Sequence, residues 1–357
     1  MLENGYMIEN NKKALIAMSG GVDSSVAAYV MMVAGYECVG CTMKLNDNSC
    51  ANEKNVADAK AVCDKLHIPH YVVDYTERFK EKVIDNFIGC YECGRTPNPC
   101  IECNKYLKFD ALMDKAFELG CEYVVTGHYA VVSYNEKTGK YELKMASDTN
   151  KDQSYFLYKL TQNQLAHVKF PLADMTKDEA REIAEKQGFI TAKKKDSQDI
   201  CFIPNGKYAE FIKNNSEKTY PEGDFIDING NVLGRHKGII RYTIGQRKGL
   251  GIALNEPMYV KKIDVEANTV MLARDEELYS SNLLADNVTF TSIEEIMEPV
   301  EVLAKIRYRH TPAKAFVKQV SSDIIKVEFS EPQRAITSGQ AVVLYSGNTV
   351  IGGGTII

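Results

Sequence analysis

A short glycine- and serine-rich segment near the start of the chain has the residue types needed to bind an anion. It reads Ser19-Gly20-Gly21-Val22-Asp23-Ser24-Ser25 and lies between an apolar run and an apolar helix pattern. Glycines let the backbone approach an anion closely, and the following helix offers unpaired N–H groups and the positive end of its dipole. The serines add hydroxyl donors. The Asp23 carboxylate is expected to hold Mg²⁺ or to shape the loop, without a core contact.

Two cysteines lie in settings that favour chemistry at sulfur. Cys103 follows a rigid proline-rich run and precedes a helix predicted to begin at Lys105. A helix N-terminus, with Lys105 and Lys108 close by, lowers a thiol pKa and favours the thiolate. Cys201 stands in a second segment that contains lysines. The setting of Cys103 therefore favours its thiolate, and Cys201 has lysines beside it in the same way.

The other cysteines leave a metal site open as an alternative. The N-terminus has no basic region before an apolar run, unlike a secretory signal, so this cysteine usage favours metal binding or catalysis over disulfides. Cys90-x-x-Cys93 and Cys100-x-x-Cys103 together offer four thiolates that zinc could use, although the spacer between the pairs is short. Cys38 and Cys41 lie on a predicted strand and are expected in the core. The ten cysteines are at positions 38, 41, 50, 63, 90, 93, 100, 103, 121 and 201.

The elements that must position these residues alternate between strand and helix over the first two hundred residues. Short apolar runs predict buried strands and amphipathic stretches predict helices. This rhythm is typical of a parallel sheet with helices on both faces, in which ligands bind at the carboxyl ends of the strands. The predicted strands are 14–18, 36–43, 70–74 and 123–126, and the predicted helices are 24–33, 52–66, 105–119 and 176–187.

The second half of the chain has a different pattern. A hairpin is predicted over 134–145, and helical periodicity fades after about residue 208. Short strand candidates separated by Gly, Asn, Pro and Asp then predict one or two small β-barrels. We divide the chain into a catalytic α/β domain, a central β-domain and a C-terminal β-barrel domain, at 1–207, 208–277 and 278–357.

Composition excludes several classes of protein. Hydrophobic residues make up 45% and charged residues 25% of the 357 residues, as in ordinary globular proteins and unlike disordered ones. No stretch approaches the roughly 18 uncharged apolar residues of a membrane span. These features predict a cytoplasmic enzyme with no membrane partner.

The charge distribution points to a polyanion as partner. The net charge of −5 excludes a globally basic nucleic-acid-binding surface but not a local basic face. Residues 228–255 contain no acidic side chain, and residues 307–310 form a second basic cluster. The cations of the longer segment are Arg235, Lys237, Arg241, Arg247 and Lys248.

The glycine-rich loop resembles the PP-loop of ATP pyrophosphatases, SGGxDS, and lacks the signatures of the P-loop and of dinucleotide folds. Motifs along nearly the whole chain resemble the tRNA 2-thiouridylase (MnmA) family. They are MSGGVDSS at 18–25, GRTPNPC and CNKYLKF at 94–109, TGHYA at 126–130, DTNKDQSYFLY at 148–158, TAKKKDS and ICFI at 191–203, YTIGQRKGLGI at 242–252, IRYRHTP at 306–312 and SGQAVVLY at 338–345.

The resemblance implies a parallel-sheet PP-loop domain of the adenine nucleotide alpha hydrolase-like type, followed by two small β-domains. It implies a tRNA-uridine 2-sulfurtransferase that uses ATP to thiolate the wobble uridine, position 34, of tRNA. Adenylation of the C2 oxygen creates AMP as leaving group, sulfur on Cys201 attacks C2, and Cys103 then takes Cys201 into a disulfide. The sulfur donor would be a cysteine desulfurase or a sulfur-relay protein. The alternative is another PP-loop ligase acting on tRNA or a small molecule, which would leave both cysteines idle.

The resemblance also implies roles for individual positions. Those expected to bind ATP, with Mg²⁺, are Ala17, Met18, Ser19, Gly20, Gly21, Val22, Asp23, Ser24, Met43 and Gly127. Those expected to face the target base are Asn98, Pro99 and Cys100, and those expected to contact tRNA elsewhere are His128, Lys151, Asp152, Gln153, Arg307, Tyr308 and Gln340.

One position departs from the family pattern. Many members have Asp where this chain has Cys100, and a general-base role is assigned to that Asp. Cys100, Cys103 and Cys201 together offer three thiolates, a number that suits a [4Fe–4S] cluster with one open iron able to hold sulfide. A persulfide route and a cluster route therefore both stay open.

Overall fold

The computed structural model describes residues 12–46, 49–194, 200–203 and 206–357. The chain divides into two compact units. The first unit comprises Met1–Val83, Cys100–Gln198 and Asn348–Val350, and the second comprises Ile84–Pro99, Asp199–Gly347 and Ile351–Ile357.

The first unit is built on a parallel sheet, as predicted. Its five strands run in the order β3-β2-β1-β4-β7, and all the recorded pairings are parallel. The sheet places the carboxyl ends of β1 and β4 side by side, where the glycine-rich loop begins. The strands are β1 (Lys13–Ala17), β2 (Glu37–Lys44), β3 (His70–Asp74), β4 (Tyr123–Val125) and β7 (Val168–Lys169), with the predicted hairpin as β5 (Val131–Asn135) and β6 (Lys140–Lys144).

The helices follow from the sequence less completely. The helix predicted at 105–119 begins six residues earlier, because Pro99 occupies the first helical position, where its missing N–H costs nothing. A helical run over 76–92 was not predicted, although Phe79, Val83, Phe87 and Tyr91 recur every four residues and are all buried. The helices are α1 (Val22–Val33), α2 (Ser49–Leu66), α3 (Thr76–Phe79), α4 (Asp85–Glu92), α5 (Pro99–Cys103), α6 (Leu112–Glu118), α7 (Gln162–Ala166), α8 (Lys177–Lys186) and α9 (Tyr208–Asn215), with π-helical turns at Lys80–Ile84 and Asn104–Ala111.

One apolar cluster packs α1, α2 and α8 onto the sheet. Ile16 of β1, Val26 of α1, Ala59 of α2 and Ala184 of α8 are all completely buried in it. Cys38 and Cys41 are buried as predicted, and burial raises the pKa of each thiol to about 12. These two cysteines are therefore core residues rather than nucleophiles.

The second unit holds the predicted β structure. Strands β8 (Gly223–Ile226), β9 (Val232–His236), β10 (Tyr259–Asp264) and β11 (Thr269–Ala273) form a four-stranded sheet in the order β10-β11-β8-β9. Six further strands form a barrel in the order β12-β15-β14-β13-β16-β17, closed by pairing of β12 with β17. The barrel strands are β12 (Tyr279–Phe290), β13 (Val300–Lys305), β14 (Ala313–Ser321), β15 (Ile324–Arg334), β16 (Ala341–Ser346) and β17 (Thr349–Ile356).

A membrane-spanning helix is absent from the part of the chain that the structure describes. Among the residues that the structure describes, none of the helices combines the length and the apolar character that a membrane span requires.

Candidate functional site

The glycine-rich loop lies between β1 and α1, with its backbone turned by glycine. Gly20 has φ +69°, and a Cβ at this position would collide with the backbone oxygen of Asn55. Ser19 is exposed, whereas Ser24 and Ser25 are buried and their hydroxyls donate to the Gly21 carbonyl at 3.1 and 2.8 Å. Ser25 Oγ also lies 2.9 Å from Thr191 Oγ1 in the interior, and the role of the serines as donors to an anion stays a prediction. Ser19 is the exposed serine, and its hydroxyl lies 3.1 Å from the hydroxyl of Ser24.

Asp23 anchors the loop to α8 through an ion pair. Its carboxylate accepts hydrogen bonds from Lys177 Nζ at 2.7 and 2.8 Å and from the Tyr129 hydroxyl at 2.9 Å. Lys177 is only 7% exposed. The expectation that Asp23 has no core contact is therefore wrong, because its removal would leave a buried ammonium group without its carboxylate.

This arrangement bears on the two roles considered for Asp23. Both carboxylate oxygens already bind the Lys177 ammonium, and Mg²⁺ would be repelled by a cation at that distance. In this structure Asp23 therefore shapes the loop, and its role as a Mg²⁺ ligand stays a prediction.

Gly127 lets the segment after β4 approach the loop closely. A Cβ at this position would lie 2.7 Å from both the carbonyl carbon and the Cβ of Asp23. Atoms at that separation overlap, so any side chain larger than hydrogen would push the start of α1 away. The glycine of the TGHYA motif is thus explained by close backbone approach.

Replacing Gly127 with alanine is expected to weaken ATP binding at least tenfold and to destabilise the fold. Overpacking of this kind costs about 1–3 kcal/mol, and here the displaced atoms belong to Asp23. Calorimetric titration with ATP and thermal unfolding would measure both effects. Gly120→Ala is the matched control for loss of a glycine, since no atom lies within 4 Å of a Cβ there, although its φ of +71° adds some strain of its own. An ATP affinity equal to that of the unmodified protein would contradict the steric explanation.

Two residues beyond α8 support the loop and the start of α1, and sequence reasoning missed both. Lys194 Nζ donates to the Gly20 carbonyl at 2.8 Å and to the Asp58 carboxylate at 2.9 Å. Thr191 Oγ1 lies 2.9 Å from Ser25 Oγ. Both belong to the TAKKKDS motif, whose spacing gave no sign that it packs against a loop about 170 residues away. Residues 195–199 of this segment lie outside the described residues.

Cys100 and Cys103 lie on successive turns of one helix. Cys100 lies in the first turn of α5, and Cys103 follows one turn later. The N-terminal position predicted for Cys103 is therefore wrong, and Cys100 is the thiol beside the positive end of the helix. Between them, Glu102 accepts from Lys159 Nζ at 2.8 Å in an ion pair whose side chains are 17% and 11% exposed. This pair fixes the rotation of the helix that carries both thiols.

The three cysteines differ in exposure. Cys103 is buried, whereas Cys100 and Cys201 are exposed. Although Cys100 is accessible, surrounding protein desolvates its thiol and raises its pKa, and the Lys108 ammonium partly offsets this. Within the described residues, no group of three or more His, Cys, Asp or Glu side chains is arranged to hold a metal ion. Both the zinc site and the iron–sulfur cluster therefore stay predictions.

Comparison with known proteins decides the family. Three family models match consecutive parts of the chain: a tRNA methyl transferase HUP domain at 12–205, a tRNA methyl transferase PRC-barrel domain at 209–274 and an aminomethyltransferase beta-barrel domain at 280–356. The tRNA-specific 2-thiouridylase MnmA of Clostridioides difficile (strain 630) is 50% identical over 97% of this chain and 98% of that protein. The chain belongs to the MnmA family of tRNA-specific 2-thiouridylases.

A second relative and one solved structure complete the comparison. The tRNA-specific 2-thiouridylase MnmA 1 of Caldanaerobacter subterraneus subsp. tengcongensis is 48% identical over 98% of this chain and 99% of that protein. The U34-tRNA thiolase NcsA from Methanococcus maripaludis, solved with its [4Fe-4S] cluster, is 17% identical and covers 58% of this chain and 66% of that chain, with a TM-score of 0.38. Similarity as low as the latter supports no conclusion about cofactors.

Within this MnmA family member, several of the expected tRNA contacts in the first unit have bonds inside the protein. Asp152 is 3% exposed, and its carboxylate accepts from Ala146 N and from Ser154. Gln153 Oε1 accepts from Tyr129 N at 3.1 Å. Lys151 lines a cavity of about 660 Å³ beside the start of α8. The contact of these residues with tRNA stays a prediction, and the observed role of Asp152 and Gln153 is to hold loops.

His128 is a further expected tRNA contact that lies in the interior. It is 8% exposed, with Nε2 at 3.4 Å from Lys108 Nζ and Nδ1 at 2.6 Å from Thr126 Oγ1. Burial, reinforced by Lys108, lowers the pKa of His128 well below its usual range. The ring is therefore neutral and accepts from Lys108, which leaves the proton on Nδ1 for Thr126. His128 thus orients the ammonium that acts on the Cys100 thiol.

The expected tRNA contacts of the second unit also make bonds to the backbone. Arg307 donates to the Arg334 and Ala335 carbonyls at 3.2 and 3.4 Å. Gln340 Nε2 donates to the Thr96 carbonyl at 2.8 Å. Tyr308 lies beneath Lys305 Nζ, at 5.5 Å from its ring centre. Direct contact of these side chains with tRNA is likewise still a prediction.

Proposed function

We propose that this chain is a tRNA-uridine 2-sulfurtransferase that thiolates C2 of the wobble uridine, position 34, in an ATP-dependent reaction. Family membership over 97% of the chain, at 50% identity, carries the proposal. The geometry of the glycine-rich loop supports it, because a turned backbone at the start of α1 suits a pyrophosphate group. The thiols on α5 and at Cys201 support the sulfur chemistry.

The reaction would proceed in two stages. ATP first adenylates the C2 oxygen of the uridine and releases pyrophosphate. A persulfide on Cys201, loaded by a cysteine desulfurase or a sulfur-relay protein, then attacks C2 with its terminal sulfur, and AMP leaves with the electron pair of the C–O bond. The Cys103 thiolate next attacks the Cys201 sulfur, which releases 2-thiouridine and forms a Cys103–Cys201 disulfide. A dithiol reductant supplies two electrons to restore both thiols.

The chain's own residues would bind ATP and would not bind Mg²⁺ directly. The cation would arrive with the nucleotide, held by its phosphates and by water, because Asp23 is engaged with Lys177. The tRNA substrate also favours a cytoplasmic enzyme.

The test is thiolation of tRNA by the purified full chain with a persulfide donor. Incubation with ATP and tRNA carrying U34 should release pyrophosphate and yield 2-thiouridine, detected by mass spectrometry of the nucleosides. The same tRNA with C34 should give neither product. Pyrophosphate release that depends on tRNA but never yields a thionucleoside would favour the alternative, a ligase of the same superfamily.

The basic segment 228–255 is expected to supply part of the tRNA affinity. Arg247 and Lys248 are exposed there, whereas Arg235 is already paired with Asp224 at 2.9 Å. Each phosphate contact releases counterions, so replacing Arg241, Arg247 and Lys248 with Ala should reduce the slope of log K against log salt by about 0.9 per lost contact. Affinity measured by filter binding between low and high salt gives this slope. Arg235→Ala should leave it unchanged, and an equal slope for the triple variant would show a merely solvated surface.

A further inference from the structure

A turn of the barrel forms hydrogen bonds with the loop that precedes Cys100 and Cys103. The turn comprises residues 338–340, between β15 and β16, and the loop comprises residues 95–98, directly before α5. Thr96 N donates to the Ser338 carbonyl at 2.8 Å. Gln340 Nε2 donates to the Thr96 carbonyl at 2.8 Å and to the Pro97 carbonyl at 3.3 Å. The 338–340 turn therefore supplies both a donor and an acceptor to the 95–98 loop.

The fit of the turn against the loop is close. Gly339 has φ +90°, and a Cβ there would lie 2.8 Å from Thr96 N. The turn is itself tied to β17, since Gly339 N donates to the Ile356 carbonyl and Ile356 N to the Gln340 carbonyl, both at 2.8 Å. The closed barrel thus holds the turn rigidly against the loop.

The loop needs such support because of its own composition. Pro97 and Pro99 have no N–H group and so cannot contribute donors to any local turn. The carbonyls of this segment must find donors elsewhere, and the single amide group of Gln340 reaches two of them. The loop then continues through Asn98 and Pro99, the positions expected to face the target base, into the helix that carries Cys100 and Cys103.

We infer that Gln340 is a positioning residue for the sulfur transfer, acting through the 95–98 loop rather than by contacting tRNA. The inference rests on the proposed function and extends it: the C-terminal barrel contributes to the chemical step by holding the residues that face the base. The family resemblance predicts a tRNA contact for Gln340, but its amide nitrogen is committed to the loop carbonyls.

Kinetics separate the two roles. In Gln340→Leu, the single-turnover rate of thiolation at saturating tRNA and ATP should fall about tenfold, because the loop loses both hydrogen bonds from the Gln340 amide. The Kd for tRNA should stay within about twofold of its original value. Gly339→Ala should show the same pattern, because it displaces the loop without altering the Gln340 side chain. Gln319→Leu is the control. Gln319 is also a half-buried glutamine of the barrel, but its amide oxygen accepts a hydrogen bond from Ile296 N.

Hydrogen exchange gives a readout that needs no activity. The Thr96 amide should be protected in the unmodified protein and should exchange at least tenfold faster in Gln340→Leu, with an unchanged unfolding temperature. A raised Kd with an unchanged rate would show that Gln340 contacts tRNA and would overturn the inference. Unaltered Thr96 exchange in Gln340→Leu would overturn it too. If the unmodified protein fails to thiolate tRNA, the proposed function fails. The exchange experiment still tests whether Gln340 holds the 95–98 loop.

Discussion

Replacing Asp23 with alanine is expected to abolish pyrophosphate release and also to destabilise the protein. The substitution leaves Lys177, 7% exposed, without the carboxylate that it contacts at 2.7 and 2.8 Å. Breaking a fully buried pair costs about 3–5 kcal/mol, and the cost here should be smaller, roughly 2 kcal/mol, because the Asp23 side chain is 34% exposed. The freed ammonium would also pull the start of α1 out of position. Pyrophosphate assays and urea unfolding would measure the two effects.

A double-mutant cycle with Lys177→Met identifies the cause. If Asp23 acts through Lys177, the single variants should lose similar stability, and their effects should couple by about 1–2 kcal/mol. The Mg²⁺ concentration that gives half-maximal rate should not change in Lys177→Met. Asp178→Asn is the control, because Asp178 directly follows Lys177 in the sequence but its side chain is 92% exposed. Additive effects, together with a raised Mg²⁺ requirement in Asp23→Asn, would restore the metal-ligand role.

Cys103→Ala and Cys201→Ala are each expected to abolish thiolation completely. In the persulfide route, Cys201 carries the sulfur and Cys103 releases the product, so neither thiol has a substitute. Both variants should retain ATP and tRNA binding, since Cys201 is exposed and Cys103 lies on a helix fixed by the Glu102–Lys159 pair. Mass spectrometry of the nucleosides would detect residual 2-thiouridine. Thiolation at the original rate by either variant would remove that cysteine from the mechanism.

Substitution of Cys100 distinguishes the persulfide route from the cluster route. The Cys103→Ala and Cys201→Ala variants are expected to be inactive in both. If three thiolates hold a cluster, Cys100→Ala should lose bound iron and thiolation together, even with persulfide supplied. If the persulfide route holds, Cys100→Ala should keep much of its activity, and Cys103 and Cys201 should form a disulfide during turnover. Cys100→Asp restores the commoner family pattern and serves as the matched variant. Anaerobically prepared and reconstituted protein that thiolates tRNA at full rate without iron would exclude the cluster.

The raised pKa of the Cys100 thiol bears on this choice. Desolvation disfavours its thiolate, and Lys108 only partly compensates. A thiol that is protonated at neutral pH is a poor replacement for the ionised Asp of other family members as a general base. Neutral His128 lies beside Lys108, with Nε2 at 3.4 Å from Nζ.

Local patterns in the sequence predicted much of the first unit. The strand at 70–74 has the predicted bounds, and α8, predicted at 176–187, begins with a capping box in which Thr176 N donates to Glu179 at 2.7 Å. Both depend on residues within a few positions of one another. The start of α5 was misplaced because Pro99 was interpreted as part of a rigid loop, although proline is also favoured at the first helical position.

The residue types and spacing of SGGVDSS and of the cysteines determined the kind of chemistry, because backbone freedom and thiol reactivity are local properties. Only the tertiary structure decided which partner each of these groups has. Asp23 meets Lys177 across 154 residues, and Gln340 meets Thr96 across 244. Such pairs are selected when the whole chain packs and buried polar groups must find partners. No pattern confined to a few neighbouring residues carries that information.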